Sequence, residues 1–389
     1  MAQKTNWSAA LLIVTASFIY YFPYDHLQPL MRPIIEEYDL SFTGFNFIYS
    51  LSDIPTLIVL LFIPRLLRKL GSGTVLVVAV GLMSLGQLLM AISALQKSIL
   101  LLVVGRILLG LLREPFMILV QVLLRRYFSP LHFQCMVGLQ ILLISKSKIL
   151  NVYAVPRVLL YTESLANTLF ISWIVTQVST IAAIIFLLRK NQDDSYDAED
   201  FQPKTVATKP FDRLTFILIV AIHVLQGGCF KAFSNIAVDF LQNTYQLSVL
   251  QAGCLLSYHY IAFAVLCPVT FLLIAKHKNA LLPLFAASSG VLALGLLINT
   301  HGAHTYLNAL VSVTLYAVFL SSRMATVFPL LSEIEPPQAI KSGLHFAIAT
   351  EAFGFVAIPV LNSLGSHIDV KAQGLTYDCY MNTLLILAF

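Results

Sequence analysis

Long apolar runs alternate with short polar segments along almost the whole chain. A helix needs about 20 apolar residues to cross the hydrocarbon core of a bilayer. The pattern therefore predicts membrane-spanning helices near residues 8–28, 44–64, 73–95, 99–124, 133–155, 167–189, 213–241, 250–274, 281–300, 305–331, 342–366 and 376–389. The last run is shorter than the others, and we expect the twelfth helix to be short or truncated.

The longest polar stretch, residues 191–212, is acidic at first and contains prolines, and no helical apolar face runs through it. Such a composition is typical of a flexible linker. It divides the chain into a six-helix bundle at 1–190 and a second at 213–389. A 6+6 arrangement of this kind is the layout of major facilitator transporters, whose two bundles rock about a site at the midplane.

Composition supports an all-α, polytopic membrane protein. The chain is 58% hydrophobic and only 11% charged, whereas soluble domains carry about 25% charged residues. The net charge of +5 is spread over many short loops, which excludes a nucleic-acid-binding patch. Most loop lysines and arginines fall on one side, which predicts a cytosolic N-terminus. The five cysteines follow no metal-binding spacing, and we expect neither a metal nor a cofactor.

Ionisable residues inside the predicted helices are the main candidates for function. They are Asp53, Arg106, Arg113, Glu114, Lys146, Lys148, Lys231, Arg323 and Glu351. Each costs about 2.5–3.5 kcal/mol at the bilayer centre even on the most lenient scale. If all of them stayed unpaired, their summed cost would exceed a typical free energy of unfolding of about 5–15 kcal/mol. We therefore expect them to be paired, hydrated or at helix ends.

Helix 4 carries the sequence GRILLGLLRE, with Arg106 and Arg113 on one face and Glu114 about 100° away. Two interpretations stay open: a charged cavity wall, or a structural ion pair joining helix 4 to helix 5 or helix 2. Gly105 and Gly110 predict close approach of a neighbouring helix.

Helix 5 carries the sequence SKSK, in which Lys146 and Lys148 point to nearly opposite faces. Both cannot line one cavity. We expect Lys146 to face the cavity, and Lys148 to pair with Glu114 or Asp53 or to reach water.

In the second half, Arg323 and Glu351 lie at nearly the same predicted depth on helices 10 and 11. They predict a salt bridge, which is either structural or a gate. Lys231 follows Gly227 and Gly228, and paired glycines suggest an unwound or flexible point beside a transporter's site.

Helix 1 is rich in aromatic residues, Tyr24 among them, which are interpreted as packing or an interfacial belt. A subset lining a peptide-sized cavity is the alternative. Asp25 and His26 are expected at the outer end of this helix, in the membrane interface.

Several segments resemble one family. They are YFPYDHLQPL in helix 1, the Tyr49 to Pro55 pattern in helix 2, GRILLGLLRE in helix 4 and VGLQ before SKSK. In order and spacing they resemble the lysosomal dipeptide transporter branch of the major facilitator superfamily. The resemblance implies a dipeptide carrier of a lysosomal or vacuolar-type membrane, with a glycosylated accessory subunit. A plasma-membrane location is the alternative.

The resemblance also implies a binding site. The branch has an acidic residue in helix 4, matched by Glu114, and an arginine in helix 5, where this chain has Ser145 followed by Lys146. Pro115 and the loop PRLLRKLGSG, which lacks the branch's aspartate, depart from its pattern.

The expected function is alternating-access transport of small zwitterionic solutes, dipeptides first, as a secondary-active carrier or a uniporter. The predicted substrate contacts are Glu114, Lys146, Arg113, Lys148, Ser145, Asp53, Tyr49, Tyr24 and Lys231. The alternatives are a carrier-derived scaffold or receptor without transport, and a major facilitator carrier of another small solute. The chain has no GxSxG or HExxH sequence, so an enzyme is not expected.

Overall fold

The computed structural model describes residues 7–113, 115–116, 119–120, 123–124, 130–189, 213–334, 354–355, 357–361 and 377–388. Every regular element among them is helical. The α-helices are α1 (Trp7–Tyr20), α2 (Met31–Tyr38), α3 (Phe42–Ser50), α4 (Ile54–Leu70), α5 (Ser72–Gln96), α6 (Ile99–Gly110), α7 (Pro130–Thr162), α8 (Leu165–Arg189), α9 (Arg213–Thr244), α10 (Val249–Lys276), α11 (Leu281–His301), α12 (Tyr306–Ile334) and α13 (Asp378–Ala388). Short 3-10 helices cover Gln28–Leu30, Leu51–Asp53 and Lys278–Ala280.

Six of the described helices are long and apolar enough to cross a membrane: α5, α8, α9, α10, α11 and α12. Shorter apolar helices, α1 and α6, accompany them. These helices agree with the predicted spans to within a few residues at most ends, because hydropathy over a full span is a strong signal.

The chain forms two compact units. The first unit is drawn from Met1–Tyr38 and Leu51–Gln202, and the second from Asp39–Ser50 and Pro203–Phe389. The predicted linker at 191–212 lies outside the described residues, so the division at that point stays a prediction. Helix α3 belongs to the second unit although the segments on either side of it belong to the first.

In the first unit, α5 and α6 cross at glycines. A Cβ atom added to Gly105 would lie 2.7 Å from the Gly86 carbonyl oxygen, and one added to Gly86 would lie 2.6 Å from that of Gly105. Gly110 packs directly against the backbone of Ser52. The expected close approach at Gly105 and Gly110 is thus confirmed. It brings α6, the start of predicted helix 4, against α5 (predicted helix 3) and against the 3-10 helix Leu51–Asp53 in predicted helix 2.

The first two predicted helices are interrupted. Helix α1 ends at Tyr20, and turns follow until the 3-10 helix that begins at Gln28. The prediction of one helix over 8–28 is therefore wrong in its second half. Pro23 supplies the physical reason, because proline has no N–H and blocks a continuing helix. Likewise, the 3-10 helix Leu51–Asp53 separates α3 from α4.

The loop expected after helix 2 is almost absent. Helix α4 continues to Leu70 and α5 begins at Ser72, so Gly71 is the only residue between them. Its φ angle is +75°, which a residue with a side chain adopts only at a cost. The basic sequence before it is therefore the last part of a helix.

In the second unit, α9 continues through Gly227 and Gly228 without interruption. The first alternative, an unwound point, is therefore wrong, and the second, a flexible point, stays a prediction. A Cβ atom on Gly228 would lie 2.9 Å from the Gly354 carbonyl oxygen and would also meet Ile358. The glycine thus permits close helix packing, which is the commoner use of small residues in membrane helices.

Candidate functional site

The interruption of helix 1 leaves backbone carbonyl groups without helical partners, and side chains from other helices bind them. On α7, Ser147 Oγ donates to the Phe18 carbonyl, and Asn151 Nδ2 donates to that of Phe22 at 2.5 Å. On α6, Arg106 Nη1 donates to the Tyr24 carbonyl at 3.1 Å. Backbone polar groups at membrane depth require such partners, because lipid offers none.

Arg106 joins the interruption of helix 1 to that of helix 2. The residue is fully buried, and its Nη2 donates to Ser52 Oγ at 2.9 Å. Tyr24 is fixed from the same helix, since its hydroxyl donates to the Leu109 carbonyl at 2.7 Å. Arg106 therefore holds two interrupted helices in place through one planar group.

Asp53 and Arg113 form an ion pair between helix 2 and helix 4. The Arg113 Cζ atom lies 5.5 Å from the centroid of the Tyr24 ring, a cation–π arrangement. Helix 4 was interpreted either as a charged cavity wall or as carrying an ion pair to helix 5 or helix 2. The structure contains the ion pair to helix 2. Glu114 lies outside the described residues, and its role stays a prediction.

Asp25 and Lys148 form a second ion pair, with 3.6 Å between Oδ2 and Nζ. The expected alternatives for Lys148 were Glu114, Asp53 or water, and Asp25 is a partner that was not among them. Asp25 and His26 are buried within the first unit, and their expected position at the depth of the membrane interface stays a prediction. His26 Nδ1 lies 3.3 Å from Asn151 Oδ1.

These groups lie on neighbouring residues of the interrupted helix 1 and on the helices that contact it, and we call them the polar cluster. Its members are Tyr24, Asp25, His26, Ser52, Asp53, Arg106, Arg113, Lys148 and Asn151. Among these described residues there are three cations, on arginine and lysine side chains, and two carboxylates. The cluster therefore presents both signs of charge around the interruption of helix 1. No described group of three His, Cys, Asp or Glu side chains is placed to hold a metal ion.

Lys146 does not join this cluster. Its side chain is exposed, on the same face of α7 as the exposed Tyr153 and Leu160, while Lys148 and Asn151 lie towards the interior. The prediction that the two lysines point to opposite faces is confirmed. Ser145 is buried.

Aromatic rings pack beside the cluster. Tyr20 and Phe116 are stacked with ring centroids 3.6 Å apart and an interplanar angle of 11°. Tyr21 and Tyr24 pack edge-on or tilted around Tyr20. Within the described residues these aromatics mainly contact each other, which agrees with the packing interpretation.

The second unit holds the remaining predicted site residues. Lys231 Nζ lies 4.8 Å from the centroid of the Tyr49 ring and 5.9 Å from that of Phe355. One helical turn further along α9, Asn235 Nδ2 donates to Asn46 Oδ1 at 3.4 Å. The structure thus brings Tyr49 and Lys231 together, where α3 packs on α9.

Arg323 is buried in the second unit and contacts His223 on α9. Its Nη2 donates to the His223 carbonyl at 3.3 Å and lies 3.4 Å from the ring Nε2. Glu351 lies outside the described residues, so the predicted Arg323–Glu351 pair stays a prediction. His223 is a partner that helix depth alone did not indicate.

Sequence reasoning missed Asp25, His26, Ser52 and Asn151 as members of the site. A signal for the first two was present: Pro23 interrupts the predicted helix just before them, and proline marks a helix boundary. Ser52 and Asn151 had no such signal, because a lone serine or asparagine in an apolar run is usually an interhelical hydrogen bond.

A family model described as the Major Facilitator Superfamily matches residues 13–359. The chain belongs to the major facilitator superfamily. It is therefore a multi-pass protein of a membrane-transporter family, and the all-α fold expected from the apolar runs is confirmed. A search among curated proteins finds no significant sequence match.

Solved structures share this fold. A point variant of the nucleoside transporter NupG superposes with a TM-score of 0.72 at 13% identity, covering 98% of this chain and 96% of that one. A second structure of nucleoside transporter NupG gives a TM-score of 0.64 at 12% identity, covering 98% and 97%. At such identities the likeness shows the fold alone.

Proposed function

We propose that this major facilitator protein carries small zwitterionic solutes, dipeptides first among them, by alternating access. The observation that supports it is the polar cluster, where both signs of charge surround an interrupted helix. Interrupted helices near the middle of a bundle form the solute sites of many transporters. Buried charges in a membrane protein mark solute or ion pathways more often than structural contacts.

A zwitterion suits this cluster for a physical reason. Removing a charged solute from water is costly unless each of its charges meets an opposite one. A solute with an ammonium group and a carboxylate can find carboxylates at Asp25 and Asp53 and cations at Arg113 and Lys148. A neutral sugar or a hydrocarbon has no charges that could replace one member of these ion pairs.

The proposed solute contacts fall into two groups. In the first unit they are Tyr24, Asp53, Arg113, Ser145 and Lys148, with Glu114 and Lys146 retained as predictions from the family resemblance. In the second unit they are Tyr49 and Lys231. The lysosomal or vacuolar-type membrane, the cytosolic N-terminus, uniport and a glycosylated accessory subunit are part of the same proposal.

A nucleoside is the competing solute, because the two solved structures named above are nucleoside transporters. A base would need a free aromatic surface on which to stack. In the first unit the Tyr20 and Phe116 rings are already stacked on each other. This packing favours the zwitterion over the nucleoside.

Uptake into proteoliposomes tests the proposal. The full-length protein is reconstituted and offered radiolabelled alanyl-alanine, uridine and glucose in separate assays. We expect saturable uptake of alanyl-alanine alone, and its loss in the Glu114→Gln variant with unchanged thermal stability. The matched control is Glu36→Gln, because Glu36 is exposed on α2.

Two other outcomes overturn the proposal. Saturable uridine uptake without dipeptide uptake assigns the nucleoside. No flux of any solute, together with a single cysteine-accessibility pattern in the presence and absence of all three, assigns a scaffold or receptor.

A further inference from the structure

The two ion pairs of the polar cluster differ in their exposure to solvent. In the Arg113–Asp53 pair the side chains are 15% and 2% exposed. In the Lys148–Asp25 pair they are 29% and 11% exposed, and the charged atoms are 3.6 Å apart. The second pair is therefore more exposed, and its lysine is a flexible point charge that can change partners.

Polar side-chain atoms on two residues that closely follow Asp25 in the chain lack hydrogen-bond partners within the described residues. They are Nε2 of His26 and both amide atoms of Gln28. Both residues are at least nine-tenths buried. In folded proteins about 90% or more of such buried polar groups have a partner, so these atoms indicate a ligand or water that completes them.

The hydrogen bonding of His26 identifies which kind of group its free nitrogen would take. Asn151 Nδ2 donates to the Phe22 carbonyl, so its Oδ1 faces His26 Nδ1 as an acceptor. The ring must then donate from Nδ1, and the neutral ring keeps a lone pair on Nε2. His26 follows Asp25 in the chain, and their partners Asn151 and Lys148 are three residues apart on α7, on neighbouring positions of one helix face. We therefore take this lone pair as a second acceptor, after the Asp25 carboxylate, which suits an ammonium group.

The Gln28 amide adds a complementary feature. Its NH₂ group donates hydrogen bonds and its carbonyl oxygen accepts them. They can therefore pair with the C=O and the N–H of a peptide bond. The two features together distinguish a peptide from a single amino acid, which has the charged ends without the amide between them.

From these observations we infer that the Asp25–Lys148 pair opens to receive the solute, with Asp25 and His26 binding its ammonium group, Lys148 its carboxylate and Gln28 its peptide bond. One internal ion pair is exchanged for two ion pairs to the solute, so no charge is left unpaired. This inference rests on the proposed function and names the residues that would define its specificity.

Binding of end-blocked peptides to the purified full-length protein tests the inference. The probes are alanyl-alanine, N-acetyl-alanyl-alanine, alanyl-alanine amide and alanine, titrated by isothermal calorimetry. In the unmodified protein we expect each block to weaken binding about tenfold or more, the usual effect of removing one charge-assisted contact.

The variants then assign each end. In Asp25→Asn, the free and N-acetylated peptides should bind equally, while the amide is still rejected. In Lys148→Gln, the free and amidated peptides should bind equally, while the acetylated one is rejected. In Gln28→Leu, the preference for alanyl-alanine over alanine should disappear.

Controls separate this effect from loss of fold. Asp25→Glu and Lys148→Arg keep the charge and should restore the selectivity of the unmodified protein. Glu37→Gln and Lys97→Gln remove a comparable ion pair of 3.0 Å at the unit's surface, and should leave all selectivity ratios unchanged. Selectivity is a ratio measured on one folded sample, so a lower protein yield does not alter it.

The outcomes are distinguishable. If the unmodified protein binds alanyl-alanine but the Asp25 and Lys148 variants keep its selectivity ratios, this inference is overturned and the proposed function stands. If the unmodified protein binds uridine and no peptide, both are overturned.

Discussion

The two units of this transporter hold their buried polar groups in different ways. In the first unit, helices are interrupted and charges meet charges, as at Asp53–Arg113 and Asp25–Lys148. In the second, the described helices from α9 to α12 are continuous, and many polar side chains meet neutral partners. Gln226 donates to Ser288 at 3.0 Å, for example.

This difference indicates which buried polar groups can exchange their partners. A neutral hydrogen bond contributes about 0.5–1.5 kcal/mol and has fixed geometry. Charges near an interrupted helix can exchange their partners for a charged solute. We therefore expect changes in the first unit to alter both folding and solute selectivity, whereas changes to the neutral networks of the second should alter stability alone.

The largest effect is expected at Arg106. Replacing it with leucine removes the donors to the Tyr24 carbonyl and Ser52 Oγ and leaves buried acceptors unpaired. Loss of these charge-assisted bonds should destabilise the protein by about 3–5 kcal/mol. Thermal unfolding in detergent measures it. Arg106→Lys should restore little, because lysine lacks the planar group that reaches both acceptors.

Gly110 comes next. A Cβ atom in Gly110→Ala would overlap the Ser52 backbone, so α6 and the interruption of helix 2 would have to separate, at a cost of about 3 kcal/mol. The matched control is Gly81→Ala in α5, where nothing lies within 4 Å of the added atom. An equal loss of melting temperature in both variants would contradict the close packing at Ser52.

A smaller effect is expected from the second unit's neutral network. Asn299 accepts from the Tyr245 hydroxyl at 2.8 Å and donates to that of Tyr316 at 2.8 Å. Asn299→Ala should destabilise the protein by about 1–3 kcal/mol, with unchanged ratios between blocked and free peptides. A change in those ratios would show that solute selectivity extends to this unit.

The smallest effect is expected at Lys97. Its ion pair with Glu37 spans 3.0 Å, and the lysine side chain is 69% exposed. Exposed pairs of this kind contribute about 0–1 kcal/mol. Lys97→Gln should therefore leave the melting temperature within experimental error, and a clear drop would show that this pair is more than a surface contact.

The sequence predicted the long helices well, since α5, α8, α10 and α11 each carry an apolar run long enough to decide their limits. It did not predict the interruption after Tyr20, because the apolar and aromatic run continues through it and hides the effect of Pro23. Nor did it predict the continuity of α9 through Gly228, since paired glycines serve equally for flexibility and for close packing.

For the site, the sequence identified which residues are costly to bury but not which ones meet. The Arg113–Asp53 pair agrees with one of two interpretations that spacing on one helix could not separate. The Lys148–Asp25 pair joins residues far apart in sequence, and its formation depends on a bend that brings Asp25 inward. Pairing across a bundle is a property of packing, which periodicity within one segment does not report.

The interruption of helix 1 also has a consequence for biosynthesis. Helix α1 has 14 residues, so it spans about 21 Å, short of the hydrocarbon thickness of about 30 Å. The carbonyl groups beyond it are bound by side chains of α6 and α7, which leave the ribosome much later. These carbonyl groups can therefore gain their partners only after the fourth and fifth helices have been made.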